Sequence, residues 1–178
     1  EEKLTLLGVP TSYQTAYRAV EMEIPLTTLD AHPRLDLAID GADQVDPDLR
    51  MIKGRGGAHL REKCVVDAAE KFLVIVDESK CVTRLSGKVP VEVLSFACTP
   101  VLRRITDLGG SGEIRTGSGK DGPVISDNGN LIIDCTFTDI PSPEDLELKL
   151  AAIPGLIESG LFTRFTDNTE LKVGKKEY

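Results

Sequence analysis

Two short apolar runs bracket a glycine turn and a helix-like segment between Asp36 and Lys80. This pattern limits the fold more than any other feature of the chain. The stretch reads DLAIDGADQVDPDLRMIKGRGGAHLREKCVVDAAEKFLVIVDESK. Leu37-Ala38-Ile39 ends on Asp40, and Asp43 follows after Gly41-Ala42. Lys53 and the run Gly54-Arg55-Gly56-Gly57 lead into a helix with Glu62 in its first turn. A second apolar run, Phe72 to Val76, ends on Asp77-Glu78-Ser79-Lys80. Strand, loop, glycine turn, helix, strand is a βαβ unit. Ligands of such units sit beyond the carboxyl ends of the strands. Asp40, Asp43, Asp77 and Lys80 all fall at that edge.

The helix carries the sharpest clue. At about 100° per residue, Lys63, Asp67, Glu70 and Lys71 share a polar arc. Cys64, Val65, Val66, Ala68, Ala69 and Phe72 fill the opposite arc, which must face the sheet. Glu62 and Arg61 fall inside that apolar arc. A carboxylate on the buried side, one turn from a helix N-terminus, is placed for proton chemistry. Burial would raise its pKa, while the helix dipole and a nearby lysine would lower it. A first-turn Glu that only favours the dipole gives the same pattern.

At 178 residues the chain can form one domain or a domain with a smaller appendage. Its 40% hydrophobic content supports a core, and with 4% aromatics and no Trp that core must be mostly aliphatic. The net charge of −8 argues against nucleic-acid binding through phosphate contacts. A small phosphorylated ligand stays open, because glycine turns and single lysines hold phosphate. Cys64, Cys81, Cys98 and Cys135 show no C-x-x-C, so buried free thiols in a reducing cytoplasm are expected. His32 and His59 lie too far from any cysteine pattern to suggest a metal. No apolar run approaches the roughly 18 residues of a membrane span.

In chain order, Leu4 to Val9 reads as a strand. A helix follows to about Glu21, capped by Thr11 or Ser12, with Tyr13, Ala16, Tyr17 and Val20 as its apolar stripe. After Lys80, strands are expected at Pro90–Phe96, 113–116 and 131–134, and helices at Thr99–Leu108 and 142–152. Asp127-Asn128-Gly129-Asn130 between apolar runs is a hairpin signal. Strand, helix, strand, strand, helix, strand is the ferredoxin-like order. The expected division is an α/β unit with a parallel sheet, residues 1–86 rejoined by 160–178, and an α+β subdomain, residues 87–159.

Asp40, Asp43, Asp46 and Asp48 superficially suggest a calcium loop, but Val45 and Pro47 break the required alternation. Read more narrowly, Asp40 and Asp43 at a strand's carboxyl end can grip sugar hydroxyls; an acidic surface turn is the alternative. The Lys53–Gly57 turn is neither a Walker A loop nor G-x-G-x-x-G, so a nucleotide is not supported. Its backbone N–H groups can still bind an oxyanion. No Ser/His/Asp nucleophile set is visible. Carboxylates with a lysine favour proton transfer next to a carbonyl over acyl transfer, for which a Glu base and a Lys suffice without a metal.

Taken together, IDGADQVDPDL, MIKGRGGAHLREK, FLVIVDESK, PVEVLSF, GPVISDNGNLIID and IPGLIESGLF resemble ribose-5-phosphate isomerase of the A type over nearly the whole chain. The resemblance implies a Rossmann-like parallel-sheet domain with a ferredoxin-like subdomain, assembled as a homodimer or homotetramer. It implies interconversion of ribose 5-phosphate and ribulose 5-phosphate, in the pentose phosphate pathway, without cofactor. Glu62 stands at the proton-shuttling base, and Asp40 and Asp43 at the carboxylates that hold hydroxyls and assist ring opening. Lys53 stands at the lysine facing the oxyanion, and Lys80 at a further substrate contact. Gly41, Ala42, Gly54, Arg55 and Gly56 complete the implied substrate-binding set. A non-catalytic sugar-phosphate sensor of the same fold is the alternative. Three departures stand out. Gln44 replaces the Glu usual after DGAD, Arg55 interrupts a glycine run, and the family's N-terminal strand, phosphate loop and helix have no counterpart. The chain is therefore expected to be a portion of a longer polypeptide, and these residues alone to be poorly soluble and nearly inactive.

Overall fold

Ser12 starts the first helix, its hydroxyl accepting the Thr15 N–H at 3.0 Å. The computed structural model describes residues 6–119 and 121–174. In α1 (Tyr13–Glu21) the expected stripe is not the packed face: Tyr13, Tyr17 and Val20 are exposed, and Ala19 is buried instead. The expected strand at Leu4–Val9 lies partly outside the described residues. Within them, Gly8 makes one parallel bridge to Leu26.

β1 (Leu35–Asp40) is followed by β2 (Gln44–Val45) and β3 (Met51–Ile52), a short antiparallel pair. Asp46 organises the turn between β2 and β3. Its Oδ1 accepts the Asp48 and Arg50 N–H groups, and its Oδ2 accepts Arg50 Nε at 2.7 Å. α2 (His59–Asp67) runs almost directly into β4 (Ala69–Asp77). Ala69, Glu70, Lys71 and Phe72, assigned to the helix from periodicity, are strand.

β5 (Gly87–Val93), α3 (Cys98–Asp107), β6 (Gly110–Ile114), β7 (Leu131–Phe137), α4 (Pro143–Ala151) and β8 (Leu156–Ser159) come next. They form an antiparallel sheet of order β6-β7-β5-β8, the ferredoxin-like order. β6 begins earlier than expected. Gly110 opens this strand and Gly112 lies within it, and Phe137 and Leu102 occupy the space a Cβ would need at these two positions. β9 (Leu161–Phe162) then pairs with β3, and β10 (Thr169–Gly174) joins β4 to give a parallel sheet β1-β4-β10. The fold is mixed α/β, as the sequence pattern anticipates.

Two apolar cores result. Val91, Val101, Ile105, Ile133 and Leu150 fill the space between the antiparallel sheet and its helices. Met51, Val66, Phe72, Val74 and Phe162 fill the space between α2 and the parallel sheet. Each such side chain contributes roughly 1.5–3 kcal/mol on full burial. On the other face of the parallel sheet Leu37, Ile39 and Ile75 are exposed.

α2 contradicts the single-stripe reading. Lys63, expected on the wet arc, is 3% exposed, while Cys64, expected inside, is exposed. The cause is that α2 packs against β1 and β4 on one side and against β8 on another. The second side is lined by glutamates. Lys63 Nζ lies 2.8 Å from Glu147 Oε1 and 2.7 Å from Glu158 Oε1. The expectation of buried thiols holds for Cys135, whose thiol burial pushes up to about 12. It fails for Cys64 and Cys81, which are exposed.

Candidate active site

Asp40 ends β1, and the Gly41 N–H donates to its Oδ1 at 2.7 Å. Lys53 follows β3 and is fixed at both ends. Its backbone N–H donates to the Gly160 carbonyl at 2.8 Å. Its side chain, 3% exposed, passes the Phe162 ring and donates from Nζ to the Gly41 carbonyl. Nζ also lies 2.9 Å from Asp40 Oδ2 and 3.2 Å from Glu62 Oε2. One buried ammonium thus joins a strand-end carboxylate to a helix carboxylate. Glu62 is held above the usual carboxylate range chiefly by burial; the Lys53 ammonium opposes this, and the Asp40 charge adds to it. A carboxyl so balanced can accept a proton from a neighbouring carbon and release it again.

The glycine turn that follows Lys53 has Gly54 at φ +103° and Gly57 at φ +77°. Gly54 also lies flat against the His59 ring, where a Cβ would come within 2.7 Å of Nδ1. Burial drives His59 down to about 4, so it stays neutral. Arg115 pins the turn from outside. Its Nη1 donates to the carbonyls of Gly54 and Arg55 at 3.0 and 2.9 Å, while Nε donates to Asp134 at 3.0 Å.

Asp40, Gly56 and Glu62 border one cavity of about 390 Å³. Its other walls include Ser12 at the α1 N-terminus and Ser126 and Asp127 of the hairpin turn. Asp43 and Lys80 do not border that cavity. They line a second one of about 430 Å³ with Arg55, Lys88, Arg115 and Asp134. Asp43 Oδ2 accepts the Arg55 N–H at 2.9 Å, so the two cavities flank the same glycine turn. The Arg55 side chain is exposed. Ala42 packs on the apolar core below. Asp77 caps the turn after β4, accepting the Ser79 N–H at 2.8 Å. Gln44 clamps Ser86 in both directions, donating to its carbonyl at 2.9 Å and accepting its N–H at 3.0 Å. A glutamate could not make the first of these bonds.

Sequence reasoning did not assign Ser12, Ser126 or Asp127 to a site. Ser12 reads as a helix cap and 127–130 as a hairpin, and both readings hold locally. Only the tertiary approach of these segments to α2 turns them into walls.

The family model for ribose 5-phosphate isomerase A (phosphoriboisomerase A) matches residues 7–177. The chain is 60% identical over 174 residues to ribose-5-phosphate isomerase A of Methanoregula boonei, covering 98% of this chain and 73% of that protein. It is 52% identical over 177 residues to the Methanosarcina acetivorans protein of the same name, covering 99% and 74%. The solved ribose 5-phosphate isomerase A of Methanocaldococcus jannaschii superposes with a TM-score of 0.91 at 44% identity, covering 98% of this chain and 77% of that one. A D-ribose-5-phosphate isomerase solved in complex with phospho-erythronic acid superposes at 0.89 and 44% identity, covering 96% and 74%. By this agreement in sequence and in fold, the chain belongs to the ribose 5-phosphate isomerase A family.

Proposed function

We propose that the cavity bordered by Asp40 and Glu62 takes open-chain ribose 5-phosphate and returns ribulose 5-phosphate, with Glu62 as the base. The Glu62 carboxylate removes the proton from C2. The C2–H electron pair forms the C1–C2 double bond, and the carbonyl electrons move onto O1. Lys53 Nζ stabilises that oxygen as it becomes an enediolate. Glu62 then returns the proton to C1, while the O2 proton passes to O1, so that O2 becomes the ketone oxygen and O1 the C1 hydroxyl. Atoms balance without any external acid, oxidant or metal. Asp40, and Asp43 from the far side of the glycine turn, are assigned to the hydroxyl groups and to ring opening. Lys80, Gly41, Ala42, Gly54, Arg55 and Gly56 are assigned to substrate binding around them.

One observation carries the reading: the largely buried Glu62 carboxyl, raised in pKa by that burial, lies 3.2 Å from an ammonium that also pairs with Asp40. A binding-only sensor needs no such base, which favours an enzyme. General-base catalysis contributes about 10²–10⁴ in rate. Glu62→Gln should therefore lower kcat by about that factor, with substrate affinity retained. In deuterated solvent the wild-type chain should exchange label into sugar recovered before equilibrium, and Glu62→Gln should not. Unchanged turnover in Glu62→Gln would remove Glu62 from this role.

The organisation proposed with this function is residues 1–86 with 160–178 as the parallel-sheet unit and 87–159 as the antiparallel one. A cytoplasmic homodimer or homotetramer fits the free cysteines and the exposed Leu94 and Phe96. Sedimentation equilibrium tests the assembly.

A further inference from the structure

The hairpin turn Ser126–Asn130 is held from three sides. Beneath it lies Glu92 of β5, 0% exposed. Its carboxylate accepts Ser126 Oγ at 2.8 Å, Asn128 Nδ2 at 3.0 Å and Asn130 Nδ2 at 2.8 Å. From α2, Arg61 donates Nε to Asn128 Oδ1 at 2.7 Å and Nη2 to the Asp127 carbonyl at 2.8 Å. From α1, the Tyr13 N–H donates to Asp127 Oδ2 at 2.7 Å, and the Arg61 guanidinium lies 5.3 Å from the Tyr13 ring centroid. The turn closes on itself through Ser126 N–H to Asn130 and Gly129 N–H to Ser126, both at 2.9 Å. The other contacts therefore do not make the turn. They fix where it stands relative to α2, and so set Asp127 on the cavity that Asp40 and Glu62 also border.

We propose that Asp127 is a substrate-contacting residue for the sugar hydroxyls, and that Arg61 is its positioning residue. This rests on the isomerase reading of the cavity. Three carboxylates, Asp40, Glu62 and Asp127, make this part of the cavity hostile to a phosphate. They suit the neutral, hydroxyl-bearing carbons instead. A carboxylate accepts hydroxyl protons in charge-assisted bonds, the stronger kind. Arg61 adds affinity by ordering the wall before substrate arrives, since ordering a loop on binding costs free energy. Its loss should weaken ground state and transition state alike, raising KM and leaving kcat.

The test measures kcat and KM for ribose 5-phosphate and the inhibition constant of phospho-erythronic acid. The variants are Arg61→Met, Asp127→Ala, Asp127→Asn and the double Arg61→Met/Asp127→Ala. One lost charge-assisted bond corresponds to about a tenfold change. Arg61→Met and Asp127→Ala should each raise KM and the inhibition constant by about that factor, with kcat within a few-fold. The double variant should be no worse than Asp127→Ala, because Arg61 acts through the turn. Unchanged KM and inhibition constant in Asp127→Ala would overturn the proposal. So would a fall in kcat alone in Arg61→Met, which would mean that Arg61 acts through Glu62. Asp127→Asn keeps an oxygen for the Tyr13 N–H, so it carries the test if the other variants fail to fold, and an affinity equal to wild type would count against the proposal. If the wild-type protein bound phospho-erythronic acid but did not convert ribose 5-phosphate, the isomerase reading would fall, and the dissociation constants of phospho-erythronic acid across the variants, read by calorimetry, would still judge the wall.

Discussion

Glu62 and Lys63 are neighbours in α2 whose charged ends diverge. Glu62 Oε2 lies 3.2 Å from Lys53 Nζ on the cavity side, whereas Lys63 Nζ lies 2.7 Å from Glu158 and 2.8 Å from Glu147 on the other. The two ammonium groups, of Lys53 and Lys63, even share a wall: the Phe162 ring centroid is 5.5 Å from Lys53 Nζ and 4.9 Å from Lys63 Nζ. The helix is thus positioned by the same kind of ion pairing that the cavity uses for chemistry.

The Lys63 cluster should be costly to break. Removing one member of a buried ion pair leaves an uncompensated charge and costs about 3–5 kcal/mol. Lys63→Met leaves Glu147 and Glu158 facing each other and should lower the urea midpoint by the equivalent of that loss. An unchanged midpoint would mean that water already screens the cluster.

The pH–rate profile should report Glu62. Its pKa is raised above 4.5, and the base must be ionised to act. Activity should therefore fall as pH drops through a value above the ordinary carboxylate range. Replacing the opposing charge in Lys53→Met should shift that acidic limb further up, as well as lowering kcat. A limb that stays put in Lys53→Met would show that another group titrates there.

His59 should make the fold acid-sensitive. Its pKa falls from 6.5 to about 4 on burial, so the folded state excludes a proton that the unfolded chain binds. The stability it supports is present above pH 6.5 and is lost as pH falls towards 4. At about 1.4 kcal/mol per pKa unit, the span is worth roughly 3 kcal/mol. Thermal midpoints of wild type and His59→Gln, measured from pH 7 to 4, should converge on acidification. Parallel curves would contradict it.

Gly160→Ala should damage the site from a distance. An added Cβ would overlap the Lys53 carbonyl. The backbone there cannot easily retreat, because the Gly160 N–H donates to Pro90 at 2.7 Å and its carbonyl accepts the Lys53 N–H at 2.8 Å. Overpacking of this kind costs about 1–3 kcal/mol. Both the melting temperature and kcat should drop, since Lys53 must move. A normal kcat would show that the lysine side chain compensates.

The parts of this molecule that the sequence made legible are those governed by local rules. The βαβ order around Asp40 and Glu62, the Ser12 cap, the 127–130 hairpin and the alternation of strands and helices from Gly87 to Ser159 all follow from periodicity and turn chemistry. What escaped depends on contacts between distant segments. Lys63 was misplaced because a lysine facing two glutamates is buried as readily as a leucine, and periodicity counts only the leucine. The extent of α2 was misjudged because Ala68 to Lys71 suits a helix until pairing with β1 claims it. The separation of Asp43 and Lys80 from Glu62 depends on which way a glycine turn faces. Arg115, sixty residues away from Arg55, fixes that turn by bonding to its carbonyl.

The nine-residue α2 also limits which length changes this chain can survive. Each residue inserted or deleted ahead of Glu62 rotates the rest of the helix by about 100°. A single deletion between His59 and Arg61 would turn Glu62 away from Lys53 and swing Lys63 out from between its glutamates. Substitutions on the exposed face of this helix can drift, but its residue count is locked at both sides at once. Length variation among functional sequences should therefore vanish between Gly54 and Asp67.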